Sequence, residues 1–578
     1  MPERTIRTLS LLILGMILVG PACQRSASPT LSPTILASPP ATSSSGQIYY
    51  IRPDGGSYEE CDGLSEAPYP GQGTRQACAW NHPFQALPPG GVARIAGGDT
   101  LILVAGSYKM GYGAPGAENC DVEASYDCHL SPLPSGPDPD HPTRLLGAGW
   151  DGGCKSPPEF WGAGRPWFLV NLTDSSNVEV SCLEITDHSS CIEDHLSPTG
   201  GSPYTCQRDT PPYGDWAATG LYAEDSSHVL LKDLNIHGLA NTGIRAGRLV
   251  DWTVENVRII GNGWAGWDGD IDGEDANSGD LIFREWRVEW NGCGETYPKG
   301  EHLGCWGQEA GGDGDGVGTG TTGGHWIIED SAFLYNTSDG LDLLYARQPG
   351  TIVEIRRTIA AGNDGNQIKL TAAQAIIENS VLVGNCGFFD GYPYWNKDDT
   401  CRASGDALVL VAQPGASFEL LNSTLTGEGN CLMIAGCALD RSCDGSERIK
   451  VQNTLFQGQK VFFDPEADVC LAWYDDESNP PLPANPFAVE HSLITGVRFG
   501  NITPCSNASN LCVESAGLTD SSLEAFDGHL QAGSLAIDAG APDGASADDY
   551  EGRSRDAKPD IGAFEWLSPS GWWNTFKS

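Results

Sequence analysis

One phrase recurs along the chain from about residue 165 onward: a short β-rich apolar run, a polar residue, a second apolar run, then Gly or Asn. It is written as Val229 to Ile236, Trp252 to Ile259, Trp326 to Phe333 and Ala375 to Leu382. The polar pivot advances 23 residues from Asp233 to Asn256, 27 from Asp330 to Arg357 and 22 from Arg357 to Asn379, with longer steps where loops intervene. A unit of this length cannot bury its apolar face alone, so neighbours must stack to make a core. Short strands paired rung on rung, about 4.8 Å apart, predict a parallel β-solenoid. The 73 Gly and 38 Pro among 578 residues exclude a helical protein. Length alone suggests several domains, but an elongated repeat fold can hold it as one.

The two ends predict processing rather than fold. Arg4 and Arg7 precede an apolar run from Leu9 to Val19 that is too short to span a bilayer, the pattern of a secretory leader. The run ends in Gly20-Pro21-Ala22-Cys23, which resembles a bacterial lipoprotein cleavage site, with residues 1–23 as leader and Cys23 as the lipidated residue. Residues 24–46 collapse to Ser, Thr, Pro and Ala, a tether without the apolar surface to fold. The rest is expected to comprise one domain over 47–566 and a tail over 567–578, in a monomer at the cell surface. Of 19 Cys, removing Cys23 leaves an even number in a chain sent to an oxidising compartment. Pairs close in sequence read as loop staples: Cys61 with Cys78, Cys120 with Cys128, Cys191 with Cys206, Cys293 with Cys305, Cys386 with Cys401, and Cys505 with Cys512. The close Cys-x-x-Cys pairs of a zinc site are absent from the sequence.

Charge narrows the partners. With 33 Lys and Arg against 76 Asp and Glu the chain carries −43, which excludes nucleic-acid binding through a basic surface. Gly97-Gly98-Asp99-Thr100-Leu101-Ile102-Leu103 with Gly106-Ser107-Tyr108 resembles the first rungs of right-handed parallel β-helix proteins of the pectin-lyase-like group. Ala536-Ile537-Asp538-Ala539-Gly540, then Asp549, Gly552 and Arg553, and finally Asp560 to Glu565, resemble the closing module of bacterial surface proteins called choice-of-anchor Q. The expected fold is therefore all-β: a single-stranded right-handed parallel β-helix with disulfide-stapled loop insertions. One fold hosts many chemistries, so function must come from a site.

The most informative stretch is Asn336-Thr337-Ser338-Asp339-Gly340-Leu341-Asp342-Leu343, followed one rung later by Gly362-Asn363-Asp364-Gly365-Asn366-Gln367-Ile368-Lys369-Leu370. Asp315, Asp342 and Lys369 are spaced 27 and 27, the step that separates Ile328 from Ile355. Strand alternation turns Leu341, Leu343, Ile368 and Leu370 inward and Asp342 and Lys369 outward, so two carboxylates and an amine are expected in one row. These segments resemble the calcium-dependent polysaccharide lyases of the ninth lyase family, in which an Asp-Asp-Gly-x-Asp turn binds calcium and a Lys is the base. The resemblance implies Asp339 and Asp342 as ligands, a further ligand at Asp313 or Asp315, and Lys369 as the base. Ser338 stands where the family has the first Asp of the turn. Elimination beside a uronate needs a neutral amine, and bound Ca²⁺ would both offset the nearby carboxylates and neutralise the substrate acid. The alternative is an exposed salt bridge between rungs, worth about 0–1 kcal/mol. Turn chemistry accounts for Asn363, Asp364 and Asn366.

A second acidic run, Asp268-Gly269-Asp270-Ile271-Asp272-Gly273-Glu274-Asp275, has the alternating carboxylates of a calcium loop. Gly279 in place of a bidentate Glu excludes an EF-hand, and the choice between calcium loop and solvated acidic loop stays open. Seven of 17 Trp fall between residues 252 and 326. Trp286 and Trp326 read as packing; Trp264, Trp267 and Trp306, in Gly-rich inserts, either stack on sugar rings or pack under loops. Arg347 is a candidate for a uronate carboxylate. Three functions follow: a lyase on an acidic polysaccharide, a non-catalytic glycan-binding or adhesin-like surface protein, and a glycoside hydrolase. Against the last, the Gly-His-Gly of polygalacturonase-like enzymes is absent from the sequence.

Overall fold

The polar pivots of the repeat are corners. Asp233, Asn256, Asp330, Arg357, Asn379, Asn422 and Asn453 all adopt left-handed backbone, with φ between 42° and 53°. Asp and Asn tolerate that region better than other residues with a Cβ, and this sets the recurring polar residue between two apolar runs. The computed structural model describes residues 46–193, 204–306, 314–437, 443–474 and 486–567. The runs on either side of each corner belong to a 23-stranded sheet, and a third strand in most turns joins an 11-stranded sheet. Rungs pair in parallel and in register, Val229 with Trp252, Ile328 with Ile355 and Ile355 with Ile377. The chain is a right-handed parallel β-helix, as expected, and its described residues lie in one compact unit.

Inward positions fill the coil. Val229, Trp252, Leu281, Trp326, Val353 and Ala375 follow one another across rungs, all buried. Around residues 252–333 the filling is aromatic: Phe283 stacks on Trp286 at 4.4 Å and on Trp326 at 5.5 Å. Beside it runs a buried amide ladder. The Asn262 amide donates to Asn291, Asn291 to Asn336 and Asn336 to Asn363, at 2.8–2.9 Å, and Asn363 donates to Gln367 at 2.8 Å. Asn363 is thus a rung of a ladder and not simply a turn residue.

Inserts leave the coil and are stapled. The six expected disulfides are present, together with Cys154–Cys182, Cys431–Cys470 and Cys437–Cys443. They fit an oxidising compartment. No helix among the described residues is long and apolar enough to cross a membrane. Cys23, with the leader and nearly all of the tether, lies outside the described residues, as does the tail beyond Leu567. At the other end, the segment around residues 541–563 lies along the corners: Ala541 N–H donates to Asn453, Ser546 N–H to Asn422, and Asn379 donates to Asp548.

The insert closed by Cys293–Cys305 carries a hairpin, Gly294–Glu295 against His302–Leu303. Glu295 reaches the His237 ring at 2.8 Å, and Glu184 meets its other nitrogen at 3.0 Å. Burial works to lower the His237 pKa, but the two carboxylates outweigh it and hold it up to about 9. Because the folded value lies above the unfolded one, the stabilisation is complete below about pH 6.5 and is lost as pH rises through about 9. His237→Gln should therefore lower Tm most near pH 6 and hardly at all above pH 9. A gap that stays constant in a thermal melt series across that range would contradict this.

Candidate functional site

On the 11-stranded face the outward row reads Arg245, Asp268, Gly318, Asp342, Lys369, Val409. Asp342 and Lys369 are direct cross-strand neighbours, flanked by Leu341, Leu343, Ile368 and Leu370, all buried, as the alternation predicts. Asp315 is not in that row. The step between its rung and the next is 24 residues, Gly318 pairing with Asp342, and this carries Asp315 to the level of Asp339. Asp315 heads a second ladder in which each side chain accepts a backbone N–H one rung on. Asp339 N–H donates to Asp315 at 2.9 Å, Asn366 N–H to Asp339 at 2.6 Å, Asp406 N–H to Asn366 at 3.1 Å and Cys431 N–H to Asp406 at 2.6 Å. The missing side chain at Gly318 leaves room beside it: a Cβ there would stand 3.0 Å from the Asp315 carboxylate.

Lys369 Nζ donates to Asp339 Oδ2 at 2.9 Å and to Asp342 Oδ2 at 2.7 Å. The three side chains are 19%, 6% and 13% exposed, so the rung-to-rung salt bridge of the alternative reading is present but is largely buried rather than exposed. Burial works to lower the Lys369 pKa, but the charges and hydrogen bonds of the two Asp outweigh it and hold the amine above the ordinary lysine range. Burial pushes Asp342 up to about 6 despite its bond to Lys369. Burial, then repulsion from Asp339 and Asp342, pushes Asp315 well above the usual carboxylate range. One ammonium therefore serves a wall with more carboxylate than it can balance.

These groups line a cleft of about 420 Å³. Trp264, Asp268, Asp270, Asp315, Asp339, Asp342 and Lys369, all singled out from sequence, share it. The acidic run 268–275 is part strand and part bulge: within Ala265–Glu274, Asp268 and Gly269 pair with Gly318 and Thr319 and Glu274 with Thr321, so the residues between bulge out of the 11-stranded sheet, and Asp268 Oδ2 lies 3.4 Å from Arg245. Strand alternation corrects Trp267, which is 1% exposed and packs edge-on against Phe283 and Trp286 at 5.7 Å, so it cannot stack on a sugar. Trp306 is buried too, its indole donating to Gly263 O at 3.3 Å beside the Cys293–Cys305 staple, so it packs under its loop. Arg347 is not part of the cleft lining; its guanidinium lies 5.1 Å from the ring of Tyr345, which is. Asp313 lies outside the described residues, as does the side chain of Asp272.

One charged lining residue, Arg402, escapes the sequence reading. Ser338 accepts a hydrogen bond from Arg402 Nη1 at 3.1 Å, and Arg402 enters the cleft from the insert closed by Cys386–Cys401. No local motif marks Arg402; the signal was its place directly after a paired Cys.

No family model matches the chain, and no curated protein matches it. Among solved structures it is similar to pectate lyase Pel9A, at 12% identity over 91% of this chain and 97% of that one, with a TM-score of 0.37. It is similar to a rhamnogalacturonan lyase at 11% over 82% and 91%, TM-score 0.33. The alginate lyase from Paenibacillus sp. str. FPU-7 matches at 13% over 63% and 89%, TM-score 0.29.

Proposed function

We propose that the cleft cleaves an acidic polysaccharide by β-elimination, with Lys369 as the base. The observation that carries this is one amine set between two carboxylates on the floor of a polar cleft, on a rigid sheet face. In the reaction the proton beside the uronate carboxylate passes to Nζ and its bonding pair becomes the new C–C double bond. The glycosidic C–O bond breaks, and the departing oxygen takes a proton from water. Lys369 must be neutral for this, and Asp339 and Asp342 oppose it.

That opposition supports a divalent cation. Asp339 and Asp342, with Asp315 behind them, are hard oxygen donors of the kind calcium takes, and the three carboxyl groups share the cleft with the single amine of Lys369. In the present arrangement the Lys369 ammonium holds those oxygens, and among the described residues no group of three His, Cys, Asp or Glu side chains is set around a metal position. Bound calcium would supply positive charge against the substrate carboxylate. The leader, the tether and Cys23 support a lipid-anchored protein at a bacterial surface.

The test follows ultraviolet absorbance of unsaturated ends across a panel of polyuronates, in calcium and in chelator. Absorbing product in calcium that disappears in chelator is the expected result. The second reading is glycan binding without turnover, and the charge of −43, which repels a polyanion, is the objection the acidic-substrate reading must meet. Silence across the panel, with glycan retained unchanged on an array, would establish that reading instead.

A further inference from the structure

We propose that Tyr345 and Trp264 are aromatic platforms on which sugar rings of the substrate stack, one at each edge of the cleft, so that the glycan chain between them crosses the floor at Gly318. The inference rests on the reading of the cleft as a glycan site, and it holds for turnover and for binding alone. It starts from where the two residues stand on the sheet. The strands Ala265–Glu274, Val317–Thr321 and Leu341–Leu343 are parallel neighbours. Trp264 immediately precedes the first of them and Tyr345 follows the last by two residues. The two therefore flank the sheet at opposite edges, and both line the cleft. Between them the outward row reads Asp268, Gly318, Asp342. Gly318 has no side chain, so the floor is open where a chain passing from one edge to the other must lie.

Tyr345 is 43% exposed, yet its backbone is tied down. Its carbonyl accepts the N–H of Thr322 at 2.9 Å and that of Arg347 at 2.7 Å. One residue earlier, Leu344 N–H donates to Asp342 Oδ1 at 2.8 Å, while Asp342 Oδ2 accepts from Lys369 at 2.7 Å. A single carboxylate thus joins the turn that carries the ring to the amine. The Arg347 guanidinium, 5.1 Å from the ring centre, backs the ring from outside the cleft lining, and Arg347 is a positioning residue acting through Tyr345. Trp264 is held in the same way: its N–H donates to Asn241 O at 2.8 Å and its carbonyl accepts Gly314 N–H at 2.6 Å. It stays half-buried, whereas Trp267, three residues on, is consumed by the core. An aromatic ring fixed at the rim of a polar cleft offers an apolar face to the C–H face of a pyranose, a contact that involves no charge. In a cleft carrying Asp268, Asp270, Asp315, Asp339 and Asp342, such a contact adds affinity for an acidic glycan without a counter-ion and is not screened by salt.

The experiment measures calorimetric binding of a galacturonate oligomer and of its methyl ester to full-length protein carrying Lys369→Arg, which keeps a cation between Asp339 and Asp342 but removes the amine. Adding Tyr345→Ala or Trp264→Ala is expected to weaken acid and ester alike, about ten-fold each, and by the same factor at low and high salt. Tyr345→Phe keeps the ring and should bind as the parent does. Arg347→Gln should weaken binding by less, and not at all in the Tyr345→Ala background. Unchanged affinity in the two alanine variants, or a loss confined to the acid oligomer or to low salt, would overturn the stacking and leave the glycan reading intact. Failure of the parent to bind either oligomer would also overturn the stacking. If the wild-type protein in addition yields no ultraviolet-absorbing product from any polyuronate, the glycan reading falls with it.

Discussion

Lys369→Ala should lower the rate of unsaturated product formation about 10²–10⁴-fold, the usual contribution of a positioned general base. It should also destabilise the fold. The amine is the only group within salt-bridge distance of Asp339 and Asp342 among the described residues, and its removal leaves two largely buried carboxylates without a counter-charge. Breaking a buried pair from one side costs about 3–5 kcal/mol, and the residual exposure of these side chains puts the expectation at the lower end. The two losses can be separated. Adding Asp339→Asn and Asp342→Asn removes the orphaned charge, so stability measured by denaturant should recover while the rate stays low. In Asp342→Asn alone the amine keeps one acidic partner, and the alkaline rise of the rate should move to lower pH. A Lys369→Ala protein that is unstable yet turns over normally would show that the amine only fastens rungs.

The corners explain why so much of the fold was legible. A left-handed position every turn favours Asn, Asp or Gly, and Asp233, Asn256, Asp330 and Asn379 announce the repeat because of it, although Arg357 also takes a corner. Alternation within strands is equally readable: it turns Asp342 and Lys369 to one face. What failed was the assumption that a single step length serves every face. Ile328 to Ile355 advances 27 residues on one face while Gly318 to Asp342 advances 24 on another, because the intervening turns differ in length. Asp315 therefore stands three residues short of the row position opposite Asp342, which Gly318 holds instead. Trp267 was misplaced for a different reason. Glycines and acids around it have the composition of a loop, yet Gly266 and Gly269 are strand positions at which the backbone runs close to its neighbours, and Trp267 turns inward between Ala265 and Asp268. Arg402 was missed because, although the Cys386–Cys401 pair beside it was readable, the carboxylate of Asp364 that fixes its backbone comes from another rung, a contact that no local pattern encodes.

Asn336→Leu should cost about 2–5 kcal/mol, although the substitution keeps volume and adds apolar surface. Asn336 is fully buried and makes four bonds through its side chain. Its oxygen accepts from Asn291 N–H at 3.1 Å and from the Asn291 amide at 2.9 Å; its amide donates to Val288 O at 3.1 Å and to Asn363 at 2.8 Å. Leucine can satisfy none of these, and the Asn291 backbone N–H is left buried without an acceptor. A stacked fold takes such damage locally, since each rung contacts mainly its neighbours and stability is close to a sum over adjacent pairs. The expected signature is therefore not a uniform fall but faster amide exchange concentrated over about residues 288–370, with the first rungs near residue 100 unchanged. Asn336 also begins the turn that presents Ser338, Asp339 and Asp342, so the loosened segment is the one that grips Lys369. Activity should fall in step with local exchange, and uniform exchange across all rungs would show that the ladder is not what holds this segment in place.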